Sequence, residues 1–72
     1  MHTFNVTVTF NTVSGDTDME SRTVHVARTR EHWTRKQARA MVYERECGEA
    51  RQVADALQPV YGERPTYSVH VQ

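Results

Sequence analysis

The chain has 72 residues, a single cysteine, and nine basic against nine acidic side chains, for a formal net charge of zero. One cysteine excludes an intrachain disulfide scaffold, no apolar run approaches the roughly 18 residues that a membrane-spanning helix needs, and balanced charge names no partner by itself. At this length we expect one α+β domain over residues 1–72, with a core that supplies only about 3–5 kcal/mol net.

The N-terminal stretch "TFNVTVTF" alternates cleanly. Phe4, Val6, Val8 and Phe10 fall on one face and Thr3, Asn5, Thr7 and Thr9 on the other, the period-two pattern of a half-buried strand. It has neither a charged n-region nor an apolar h-region, so we expect no signal peptide and a cytoplasmic location. "VSGDTDMES" breaks the alternation and reads as a hairpin connection rich in acids, with Asp16, Asp18 and Glu20. "RTVHVARTR" resumes it as a second strand, with Val24 and Val26 expected inward. Thr23, His25 and Thr29 then join Thr7, Thr9, Ser68 and His70 on a polar outer face.

Thr34 followed by Gln37 fits a capping box and opens a helix. Ala38, Met41 and Val42 mark one apolar face; Ala50, Val53, Ala54 and Leu57 mark another, turned by roughly 100–180° at helical spacing. A straight helix over 35–58 is also about 36 Å long, against about 27 Å for an eight-residue strand. We therefore expect a helix broken near Gly48, with Pro59 ending its second piece. "PTYSVHVQ" is a last strand with Tyr67, Val69 and Val71 on one face. The predicted architecture is ββαβ, a three-stranded antiparallel sheet in order 2-1-3 with one face covered by the helix. The predicted core is Phe4, Val6, Val8, Phe10, Val24, Val26, Met41, Val42, Leu57, Val69 and Val71.

Chemistry-bearing constellations are sparse. Cys47 sits between Glu46 and Glu49, acidic surroundings that do not activate a nucleophile. With one cysteine and no HxxxH or CxxC spacing, no metal site is expected. There is no glycine-rich phosphate loop and no sign of a buried carboxylate pair. The chain therefore reads as no enzyme, with no cofactor.

Charge order along the helix carries more. Arg35, Lys36 and Arg39 occupy the first turns, where the helix dipole disfavours cations, and Glu44 and Glu46 lie near the expected end of the first piece, where it disfavours anions. Residues 28–39 hold five cations against Glu31 alone. Topology places this stretch at one pole and the acidic hairpin at the other, too far apart for neutralisation across a Debye length of about 8–10 Å. The candidate contact residues are Arg28, Arg30, Trp33, Arg35, Lys36 and Arg39. Trp33 is either a hydrophobic staple on the first helical turns or an exposed interface anchor.

Two resemblances bear on the class. "SRTVHVARTREHWTRKQARA" resembles the end of a double-stranded-RNA-binding domain, where a strand leads into a helix opening with basic residues. That family has a helix before its strands, whereas this sequence opens on a strand, so its RNA-binding residues are not carried over. The whole-chain pattern is similar to small phage-encoded inhibitors of bacterial RNA polymerase, hairpin–helix–strand proteins that imply a role in binding a host factor. The expected function is a small accessory protein that binds an acidic protein surface through its basic end. The alternatives are nucleic-acid binding through the same patch and assembly through the polar sheet face or a strand edge. We expect no membrane partner, and a monomer or weak homodimer.

Overall fold

The computed structural model describes residues 1–14 and 17–72. Its elements are β1 (His2–Ser14), β2 (Thr17–Thr29), α1 (Arg35–Tyr61) and β3 (Thr66–Val71). They form an open three-stranded sheet in the order β2-β1-β3, antiparallel throughout. This is the predicted ββαβ arrangement. The connection expected around Gly15 and Asp16 lies outside the described residues, but the residues flanking it are strand. β1 and β2 therefore run 13 residues each, well beyond the eight inferred from alternation.

That extra length removes the reason for a broken helix. Thirteen residues of strand span about 43 Å, and the 27 residues of α1 span about 40 Å. The helix runs without interruption through Gly48, and the break expected there is corrected. Its buried residues are Ala38, Val42, Glu46, Ala50 and Ala54, a strict i, i+4 row inclined to the helix axis. Small side chains along this row let the helix lie close on the sheet. The two faces read from the sequence are parts of one oblique stripe, with Glu46 in the middle. Met41 and Val53, assigned to those faces, are instead exposed.

Both helix ends are closed by local chemistry. The Thr34 hydroxyl accepts from the Gln37 backbone N–H, and the Gln37 side chain accepts from the Thr34 N–H, a complete capping box. At the other end Gly62 adopts φ 78°, the left-handed conformation that suits glycine, and donates its N–H to the Gln58 carbonyl at 2.8 Å. Pro59 lies inside the last turn, and the helix continues to Tyr61 before Gly62 ends it. Gly48 is an ordinary helix-interior glycine, and a Cβ there would meet nothing within 4 Å. Gly48→Ala should thus stabilise the fold by about 0.5–1 kcal/mol. In a thermal melt this reads as a rise of several degrees; a fall would contradict a continuous helix at this point.

The register decides which face of β2 meets the helix. Phe4 lies opposite Ala27, Val6 opposite His25 and Val8 opposite Thr23. Cross-strand partners share a face, so Thr23, His25 and Ala27 point to the helix side. Val24 and Val26 point away, 66% and 55% exposed. Their inward placement is corrected, and with it the placement of Thr23, His25 and Thr29 on the outer face. The cause is the seat of the helix: α1 packs mainly over β1 and β3 and barely touches β2. On the other side Val71, Val69 and Tyr67 lie opposite Val6, Val8 and Phe10, as expected. The core is Phe4, Val6, Val8, Ala27, Ala38, Val42 and Ala50, with Phe10, Trp33, Tyr67, Val69 and Val71 packed around it.

Candidate binding surface

The sheet order brings the end of β2, the start of α1 and the end of β3 to one pole of an elongated molecule, 47 Å in its longest dimension. The five cations of residues 28–39 make no ion pair with any acidic side chain among the described residues. Glu31, the one acid among them, is engaged by the Met1 ammonium, which holds its carboxyl below the usual carboxylate range.

The six candidate residues do not form one patch. Trp33 is half-buried against the core cluster, and its carbonyl accepts a hydrogen bond from His2 Nε2 at 2.6 Å. A carbonyl can only accept, so His2 carries a proton on Nε2. Trp33 precedes the Thr34 cap, and Ala38, four residues into the helix, is fully buried in the same cluster. This is the staple geometry, with Trp33 sealing the core more than facing a partner. Arg35 is also employed within the fold: its guanidinium lies 4.5 Å over the Phe4 ring, and its Nη2 reaches the Thr3 carbonyl at 3.4 Å. Arg28, cross-strand from Thr3, is on the outer face of the sheet. Arg30 is exposed in the connection between β2 and α1.

Lys36 and Arg39 are the two that the fold leaves exposed beside a groove. Spacings of three and four along a helix put Lys36, Arg39, Ala40 and Tyr43 on one flank. That flank faces β3. Together with Val69, His70 and Val71 these residues line an open groove of about 420 Å³, and Arg35, Lys36 and Arg39 line a smaller hollow beside it. The groove is floored by aliphatic and aromatic carbon and rimmed by cations. Hydrogen bonding with Cys47, one turn further along, pushes the Tyr43 phenol above its ordinary value. The sequence marks Val69 and Val71 only as core and His70 only as outer face, and gives no sign of Ala40; the β3–helix juxtaposition is what makes the four a wall.

β3 is also an edge strand with a defined phase. Asn5 and Gln72 exchange both backbone hydrogen bonds, at 3.0 and 2.9 Å. In an antiparallel ladder the groups of successive residues point to alternate sides. Odd-numbered residues of β1 therefore bond toward β3, and Tyr67, Val69 and Val71 turn their backbone groups to the free edge. Their side chains lie on the helix side of the sheet, next to the groove.

A second feature has no signature in the sequence. Glu46 is 4% exposed, and its Oε1 lies 2.8 Å from His25 Nε2, with Arg45 Nη2 at 3.9 Å. It ties the middle of α1 to β2 where little else does. A buried carboxylate left unpaired would be costly, and this pairing is what lets a glutamate occupy the apolar row. Cys47 is half-buried on the same helix, and the described residues contain no cluster of three metal-ligating side chains.

Fold and surface define a small α+β protein with an open sheet, two free strand edges and a cation-rimmed groove, and none of its described helices is long and apolar enough to cross a membrane. No family model, curated protein or solved structure matches the chain.

Proposed function

We propose that this chain is a non-enzymatic binding module that takes an extended acidic segment of a protein partner along β3. The observation that carries the reading is the coincidence of a free strand edge with an apolar groove rimmed by Lys36 and Arg39. A segment added to β3 gains backbone hydrogen bonds from the outward-facing groups of Tyr67, Val69 and Val71. Its alternate side chains fall on the helix side, over the groove. Acidic side chains there meet the two cations, and apolar ones meet Ala40, Tyr43 and the valines. A phosphodiester backbone would find the cations but waste the apolar floor, which favours protein over nucleic acid. Arg28 and Arg30, nearby but outside the groove, steer an acidic partner toward this pole.

The test is a titration of isotopically labelled protein with a capped peptide alternating valine and aspartate. Backbone amide shifts should concentrate in residues 36–43 and 66–72. Shifts confined to the outer face of the sheet, or none at millimolar peptide, would overturn the reading. Tighter, strongly salt-dependent binding of an oligonucleotide at the same residues would transfer the site to nucleic acid.

A further inference from the structure

The second free edge, β2, has the opposite character to β3: it is long and patterned in charge. It runs 13 residues with no proline and no lysine, and its register with β1 is continuous from His2↔Thr29 to Ser14↔Thr17, without a bulge. Natural edge strands are usually blunted by proline, bulges or charged side chains; β2 has only the charges, and they are of both signs, Asp18 and Glu20 toward its start and Arg28 near its end, so an antiparallel copy can match them. The helix leaves the inner face of β2 open, and Val24 and Val26 are exposed on the outer face. From these features we infer that β2 pairs with β2 of a second copy of this chain, antiparallel about a twofold axis at Val24.

Hydrogen-bond phase and charge fix that register. Because odd residues of β1 bond toward β3, even ones such as Phe4 and Val6 bond toward β2, to Ala27 and His25. The even residues of β2 then turn their N–H and C=O groups to the free edge. A twofold axis at Val24 sets Val24 opposite its own copy, Arg22 opposite Val26 of the second copy, and Glu20 opposite Arg28. All of these positions have free backbone groups, and each facing pair exchanges two hydrogen bonds. Asp18 meets Arg30, which lies just past the strand end. The acidic half of one strand thereby lies along the basic half of the other: Asp18 gains a cation, and Glu20, which already pairs with Arg22 of its own strand at 2.9 Å, gains a second. Sliding by two residues one way pairs Glu20 with Arg30 but puts Arg22 opposite Arg28; sliding the other way pairs Asp18 with Arg28 but leaves Glu20 opposite Val26. Like charges directly opposite are unfavourable and opposite charges favourable, so the Val24 register is preferred.

The approach is clear of the helix, which barely touches β2, and on the inner face Met19 of one copy meets Thr29 of the other. The inner face at the junction carries Ser21, Thr23, His25 and Ala27, and the two helices sit back over β1 and β3. The product is a six-stranded sheet in the order β3-β1-β2-β2-β1-β3, with both helices on one side and both β3 edges still free. Edge pairing buries less than a standard interface of about 1,600 Å², so the dimer is a weak one.

Sedimentation equilibrium up to millimolar protein should show a monomer–dimer equilibrium. Glu20→Lys and Arg28→Glu, both at exposed positions, should each weaken it about tenfold or more by setting like charges opposite one another at two symmetric places. Mixing the two variants should restore dimers. The introduced lysine of one copy then faces the introduced glutamate of the other, and the unchanged Arg28 of the first faces the unchanged Glu20 of the second. Circular dichroism of each variant alone keeps misfolding separate from lost association. A strict monomer at millimolar concentration, single variants that dimerise like the wild type, or a mixture that fails to dimerise would each overturn the proposal.

Discussion

Phe4→Ala should leave the chain largely unfolded at room temperature. Phe4 is fully buried at the start of β1 and is among the largest side chains in the core. It faces Ala27 across the sheet and carries the Arg35 guanidinium on its ring. Truncating a buried phenylalanine costs about 3–5 kcal/mol, from lost burial plus the cavity left behind. The other buried hydrophobic residues of the core are valine and alanine, too small to fill the void. The lost cation–π contact adds about 0.5–1 kcal/mol. The sum equals or exceeds the margin of about 3–5 kcal/mol available to a domain this size. Val26→Ala, on the exposed face, is the control and should fall within about 0.5 kcal/mol of wild type. Urea denaturation followed by circular dichroism separates the two; a Phe4→Ala protein with a wild-type midpoint would contradict the assigned core.

The fold is largely legible in the sequence because β1, the central strand, states its faces without ambiguity. Phe4, Val6 and Val8 must be buried, and Thr34 with Gln37 marks the helix start by local chemistry alone. β2 misleads because alternation defines two faces without saying which is inward. Valine at 24 and 26 looks like the inner set, yet the helix does not cover β2, and Thr23, His25 and Ala27 suffice at that margin. The helix misleads for a related reason. Its buried row has glutamate at its centre, and Glu46 hides the i, i+4 continuity between Val42 and Ala50. Only the cross-sheet position of His25 explains why that glutamate is there. Without the break, Glu44 and Glu46 lie in mid-helix and their apparent conflict with the helix dipole disappears. The conflict at Lys36 remains, since no acid stands in the first turn.

The candidate site is legible as a cluster of charge but not as a shape. Residues 28–39 declare a basic pole. Nothing in their spacing tells that Trp33 packs inward, that Arg35 lies on Phe4, or that Arg28 faces the far side of the sheet. The groove needs β3, some thirty residues away in sequence, for its second wall. Charge is a local property of the chain; concavity is a tertiary one.

That distinction sets the decisive experiment, the affinity of the Lys36→Glu, Arg39→Glu double variant for the alternating valine–aspartate peptide, by calorimetry. Arg35 stays unchanged, because it supports Phe4. Both substituted residues are exposed and unpaired among the described residues. Glutamate at position 36 suits the helix N-terminus and should stabilise the fold by about 0.3–1 kcal/mol. Two charge-assisted contacts are lost and replaced by repulsion, so affinity should fall about a hundredfold, on the order of 3 kcal/mol. The predicted result is a folded, slightly more stable protein whose binding is abolished over the accessible peptide range. A folded double variant that binds the peptide as tightly as the wild type would contradict the assignment of this groove as the contact surface.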